Sequence, residues 1–251
     1  MPENFIEKKD LRKDTIQFSK KQRNEFLKRM KYSNRDSIFI YNLESGIVKK
    51  YLVGKTPIMA CVSIYSQTNE ENKTENYYQW DYQIGFNLGK TNHGGFTMIG
   101  KQNPFIEKEL QPIIFEEMNQ ENIEMNTIKG LIPENWKNDT VPSYTFNYEN
   151  IRFFVKNTKE YNSWNDLIIN NTLTKQVLYV DISEGESCSK APLKIKGKKA
   201  GYDDNFQYVG RLFKNKPLVV FGFTFKSFGC PSIDFIDKQE LPILILCDNR
   251  H

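Results

Sequence analysis

Tyr78-Gln79-Trp80-Asp81-Tyr82-Gln83-Ile84-Gly85-Phe86-Asn87-Leu88 alternates apolar and polar residues over eleven positions. The even positions carry Tyr78, Trp80, Tyr82, Ile84, Phe86 and Leu88; the odd positions carry Gln79, Asp81, Gln83, Gly85 and Asn87. Successive side chains of a strand point to opposite faces, so the stretch predicts a strand with one buried and one wet face. Such a strand belongs to an antiparallel sheet, because parallel strands are usually buried on both faces.

Outward from this stretch, most of the chain reads the same way. Residues 37–41 and 46–53 flank a short connection and predict a hairpin. Residues 57–66 place Ile58, Ala60, Val62 and Ile64 on one face. Further strands are expected at 144–148, 151–156, 176–182, 206–213, 218–228 and 242–247, with a turn at 214–217. With 18 Phe and 13 Tyr the chain is rich in side chains that suit a pleated surface.

Helix signals are fewer. Ser19-Lys20-Lys21-Gln22 has the form of a capping box, and Phe26, Leu27 and Met30 make a narrow apolar stripe up to about Tyr32. Ser163-Trp164-Asn165-Asp166 repeats the box and predicts a short helix to about Asn171. Segments 104–110 and 115–125 are read as short helices. The expected class is α+β: mainly antiparallel β-sheet with an N-terminal helix and a few short helices. The expected organisation is a flexible polar N-terminus over 1–18, a helix plus β-rich half over 19–129, a connection at 130–142, and a second β-rich half over 143–251. The halves are read as two domains or as one continuous domain.

The first residues lack the apolar core of a signal peptide, and no stretch approaches a membrane span. Cys61, Cys188, Cys230 and Cys247 show no paired spacing, so reduced thiols, a cytoplasmic location and no metal or cofactor are expected. Gly85-Phe86-Asn87-Leu88-Gly89-Lys90-Thr91 is one residue short of a phosphate-binding loop, and no helix pattern follows it.

Charge is unevenly spread. Residues 8–31 hold ten Lys and Arg against three acids, whereas 107–124 hold six Glu against one Lys. The acidic stretch is expected to neutralise part of the basic one, which favours a structural helix over a phosphate-tracking one. No aromatic platform interleaves the lysines, so base stacking is not indicated.

The leading expectation is a cytoplasmic binding or interaction protein whose partner is another protein. One alternative is a cysteine hydrolase or deamidase using Cys61 and His93, since a thiolate–imidazole pair is the minimum for that chemistry. If the strands around the 67–75 loop pair as a hairpin, Cys61 opposes Asp81. The other alternative is a nucleic-acid-binding protein or nuclease using the basic segment, with Lys20, Lys21, Lys28 and Arg29 as binding residues. Lys194, Lys196, Lys198 and Lys199 form a second cationic set.

Overall fold

The computed structural model describes residues 5–63, 77–89, 94–118, 143–157, 164–174, 176–181, 188–198, 207–226, 232–237 and 239–246. The chain is mostly antiparallel β-sheet, with one α-helix and a few 3-10 turns among the described residues. It divides into two compact units, one from the residues up to Glu107 and one from Lys108 to Asn249. The expected connection at 130–142 lies outside the described residues.

In the first unit, β1 (Thr15–Gln17) is followed by α1 (Lys20–Met30), β2 (Ser37–Asn42), β3 (Val48–Leu52), β4 (Ile58–Val62), β5 (Tyr82–Phe86) and β6 (Gly95–Gly100). Two three-stranded antiparallel sheets result, in the orders β1-β4-β5 and β3-β2-β6. Ile38 and Ile40 of β2, Ile58 of β4, and Phe26 and Leu27 of α1 meet Phe5 and Val53 in one core. The other face of β2 is buried too: Phe39 and Tyr41 are enclosed, and the Tyr41 ring lies 5.5 Å from Phe105. Because β2 is central and doubly covered, β6 must approach it without a side chain at Gly95. A Cβ there would lie 1.9 Å from the Tyr41 carbonyl oxygen.

The long alternating stretch is shorter as a strand than its pattern predicts. Residues 82–88 keep the alternation, with Tyr82 fully buried and Gln83 exposed, but Gln79–Asp81 forms one 3-10 turn. The cause is Asp81. Its carboxylate accepts the Tyr78 amide at 2.7 Å while its own amide donates to the Tyr78 carbonyl at 3.0 Å. This local ring competes with the ladder, as short polar side chains do. Tyr78 and Trp80 are consequently 57% and 55% exposed.

The first residues also depart from a loose polar segment. Phe5 and Ile6 are buried, and β1 pairs with β4. Phe5 and Ile6 anchor the strap, here meaning residues 5–14, in the core.

The second unit contains β7 (Leu110–Pro112), β8 (Glu116–Met118), β9 (Ser143–Tyr148), β10 (Ile151–Asn157), β11 (Trp164–Asn171), β12 (Val177–Asp181), β13 (Cys188–Lys190), β14 (Tyr208–Gly210), β15 (Val219–Phe221), β16 (Thr224–Lys226), β17 (Ser232–Phe235) and β18 (Ile243–Leu244). Five strands run in the order β12-β11-β10-β9-β8 and five in the order β18-β17-β15-β14-β7, with β13 paired to β16. Phe153, Val155, Leu167 and Ile169 share a core with Val209, Val220, Phe223, Phe115 and Ile195.

Three expectations are corrected here. Residues 164–171 form β11, not a helix: Leu167, Ile168 and Ile169 are consecutive, buried and largely β-branched, and they favour the ladder with β10. The described part of 115–125 holds β8 in place of a helix, and 104–110 is irregular up to the start of β7. The described part of 218–228, up to Lys226, holds two strands interrupted at Gly222, whose φ is +86°. That break lets Val220 and Phe223 face the same core although three positions separate them. The turn at 214–217 is present, with Asn215 at φ +58° between the paired β14 and β15.

Candidate functional site

Helix α1 begins where the capping box places it. Ser19 Oγ accepts the Gln22 amide at 3.4 Å, and Gln22 Oε1 accepts the Ser19 amide at 2.9 Å. Phe26 and Leu27 enter the core. Arg23 lies on the buried side and is structural. Its guanidinium donates to the Thr56 carbonyl at 2.6 Å, to the Val53 carbonyl, and to Asn34 Oδ1 at 3.2 Å. Arg29 is engaged as well, 2.7 Å from Glu25 one turn back and 4.9 Å above the Phe5 ring.

Lys20, Lys21 and Lys28 differ from these two. With about 100° of rotation per residue, positions 20, 21, 24 and 28 share one face of the helix. That face carries the three lysines and Asn24, and all four are exposed. None of the three lysines is ion-paired with a described residue. Lys20 and Lys21 also occupy the first turn, which contains no acid. The amide dipoles there favour negative charge, by about 0.3–1 kcal/mol per group, so two cations work against helix stability.

The described acids of the 107–124 stretch have partners of their own. Glu116 and Glu117 of β8 bind Lys196, at 2.6 Å, and Lys198. The parallel bridge of Phe115 to Ile195 sets these pairs side by side. Their hydrogen bonds raise the pKa of both lysines. Glu109 and Glu149 face Arg211, and Glu107 accepts the Val48 amide at 2.6 Å. In the second cationic set, Lys196 and Lys198 therefore fasten β8, Lys194 takes part in other interactions, and Lys199 lies outside the described residues.

An aromatic pair is tied to the strap that also holds α1. Tyr78 and Trp80 stack with ring centroids 4.5 Å apart and planes 6° from parallel. The turn carrying them is fastened by Gln79 Nε2 to the Ile6 carbonyl at 2.5 Å and by the Tyr77 amide to the Leu11 carbonyl at 2.9 Å. Tyr82 Oη donates to the Lys13 carbonyl at 2.8 Å. Tyr77 Oη donates to Asp14 at 3.0 Å, and that bond holds its phenol above the ordinary pKa. The helix reaches the same strap, because Gln22 Nε2 donates to the Phe5 carbonyl at 2.8 Å. Consecutive carbonyls, Phe5 and Ile6, thus hold the first turn of α1 and the aromatic turn. Lys8, Lys9, Arg12 and Lys13 are exposed along the strap, with Lys9 paired to Glu7 and Lys13 to Asp10. Sequence spacing concealed this arrangement, since 47 positions separate Lys31 from Tyr78.

Cys61 sits in the central strand of its sheet, opposite Thr15 on β1 and Gln83 on β5. The hairpin of β4 with β5 exists, displaced by two residues from the register that sets Cys61 against Asp81. The thiol is half-exposed, on the outer face rather than in the core, and its polar contact is the Thr15 hydroxyl at 3.9 Å. His93 lies outside the described residues, as do Lys90 and Thr91 of the Gly-rich segment. Gly85 of that segment is a mid-strand residue of β5. Among the described residues no helix is long and apolar enough to cross a membrane.

Comparisons with protein-family models, with curated proteins and with solved structures found no match for this chain.

Proposed function

We propose that this chain is a binding protein that engages a polyanion through the lysine face of α1. The observation that carries the reading is the placement of Lys20 and Lys21 at the positive end of α1, in line with Lys28, where the first turn holds no acid and the bordering Glu25 is taken by Arg29. The other face of the helix is already committed to the core, so its fold does not need these cations. A local rule broken at the expense of stability marks positions kept for a partner. Phosphate or sulfate groups would find converging ammonium groups beside the exposed amides of the helix start.

The test is a titration with heparin and with duplex DNA at two salt concentrations. Three phosphate contacts on a duplex give a log–log salt slope of about −2.7. Combined Lys20→Ala, Lys21→Ala and Lys28→Ala substitution should remove most of the affinity and leave the melting temperature unchanged or higher, since two cations at the helix start are relieved. Undetectable binding by the unaltered protein, or salt-independent binding that the triple variant retains, would refute the reading.

A further inference from the structure

The structure assigns Lys31, Arg35 and Lys55 to the same polyanion surface as Lys20, Lys21 and Lys28, and the completed surface fits the phosphates of a duplex nucleic acid. This rests on the polyanion reading above; it adds three cations to the site and names the ligand class.

The added cations stand at the end of α1 and on two connections that Arg23 ties to it. Arg23 leaves the helix about 60° around the axis from Lys20. Its guanidinium reaches the Thr56 carbonyl at 2.6 Å, the Val53 carbonyl, and Asn34 Oδ1 at 3.2 Å. The two connections also hold each other. The Gly54 amide donates to the Asn34 carbonyl at 3.0 Å, and the Val53 amide donates to the Asp36 carbonyl at 2.9 Å. Arg35 therefore sits between two residues bonded to the 53–56 turn, and Lys55 is the next residue of that turn. The two backbones run so close that a Cβ at Gly54 would lie 2.7 Å from the Asn34 carbonyl oxygen. Lys31 caps the helix, about 16 Å along the axis from Lys20 and about 20° from it in rotation.

Lys31, Arg35 and Lys55 are exposed, and none is ion-paired with a described residue. The acids of α1 and of these two connections are Glu25 and Asp36. Glu25 is taken by Arg29, and the buried Asp36 carboxylate accepts the Ser33 amide at 2.6 Å. From the 53–56 turn round to Lys28, the exposed charge is cationic.

The aromatic side chains of these segments are turned inward: Phe26 is buried, and Tyr32 is half-buried against Phe86. An unpaired base has no ring to stack on here, whereas the bases of a duplex are already stacked on each other. The cations are also fixed in two rows, one along α1 and one on the connections, because Arg23 joins them. A duplex is stiff over about 150 base pairs and offers two phosphate strands, which suits a rigid two-row surface. Arg35 contributes a planar fork that matches phosphate. Contacts of this kind position a duplex without reading its sequence.

The experiment follows a fluorescein-labelled 20-base-pair duplex by anisotropy, with a 20-nucleotide oligothymidylate and heparin as separate ligands. Six phosphate contacts give a log–log salt slope of about −5.4, a loss of about 1,800-fold in affinity between 50 and 200 mM salt. Lys31→Gln, Arg35→Gln and Lys55→Gln together should reduce the slope to about −2.7, a loss of about 40-fold over the same range. The duplex should bind tighter than the oligothymidylate. In the unaltered protein, bound duplex should protect Lys31 and Lys55 from acetylation, which keeps the test decisive if the glutamine variant fails to fold. An unchanged slope in the folded glutamine variant, or Lys31 and Lys55 left unprotected, would overturn this inference and leave the polyanion reading standing. Binding of heparin alone, or of oligothymidylate as tightly as the duplex, would overturn the duplex assignment in the same way. Absence of binding to any of the three ligands would overturn both readings.

Discussion

Replacing Arg23 by alanine should be among the most damaging single changes on α1, although Arg23 belongs to the most cationic stretch of the chain. The guanidinium bonds two carbonyls of the 53–56 turn, and Val53 and Thr56 are 0% and 6% exposed. Val53 O also accepts the Thr56 amide at 3.2 Å, so the Thr56 carbonyl is the one left without a partner among the described residues. A buried carbonyl without a partner costs about 1–3 kcal/mol, and a hydrogen bond from a charged donor contributes about 1.5–3 kcal/mol. Because the side chain is only half-buried, Arg23→Ala should cost about 2–4 kcal/mol. With a urea slope near ~2 kcal/mol per molar, the unfolding midpoint should fall by about 1–2 M. Arg23→Lys should recover less than half of this, because an ammonium cannot present the planar fork that reaches both carbonyls. Lys28→Ala, on the exposed face, should stay within about 0.5 kcal/mol. Urea unfolding followed by far-ultraviolet circular dichroism makes the comparison. An Arg23→Ala midpoint indistinguishable from that of Lys28→Ala would refute the assignment of Arg23 to structure.

Three further outcomes follow from close packing and burial. Gly95→Ala must push β6 off β2, since the new Cβ would meet the Tyr41 carbonyl at 1.9 Å, and it should cost about 3 kcal/mol or more. Gly85→Ala meets nothing within 4 Å and should be neutral or stabilise by up to about 1 kcal/mol, as paired melting curves would show. Burial pushes the Tyr82 phenol up to about 12 from an ordinary value of 10. The folded state therefore holds that proton more tightly than the unfolded state. The resulting stability is complete below pH 10 and is lost as pH rises through 12. Tyr82→Phe should remove this part of the alkaline loss, read as the difference between the two proteins' melting temperatures from pH 9 to 12.

What the sequence made legible is mostly what depends on near neighbours. The Ser19–Gln22 box marks the start of α1 because both partners lie within one turn. The 37–53 hairpin and the 144–156 pair follow from alternation on either side of a short turn. Where alternation failed, a local ring or a glycine intervened: Asp81 turned Tyr78 and Trp80 out to solvent, and Gly222 divided the 218–228 run. The Ser163–Asp166 box misled because Leu167, Ile168 and Ile169 form better contacts as a strand than a capped helix would. The candidate surface was half legible. Lys20, Lys21 and Lys28 stand out by charge alone, whereas the partners of Glu116 and Glu117 are set by a bridge about 80 residues away in the chain. The link from Ile6 to Gln79 spans 73 positions and has no counterpart in local spacing.

The pairing of β7 with β14 joins Leu110 to Gly210 and Pro112 to Tyr208. By contrast, β9, β10, β11 and β12 each pair with the strand just before or after them. On a chain emerging from the ribosome, the second group can assemble hairpin by hairpin as it appears. β7 is made long before it and must wait for about a hundred more residues before its partner exists. At equilibrium this separation costs little, because each doubling of a closed loop adds only about 0.6 kcal/mol. The cost falls on the order of assembly. Any fragment ending short of Tyr208 keeps a meander and lacks β14, β15, β17 and β18 together, so the sheet that holds β7 is completed only once residues 208–244 have been made.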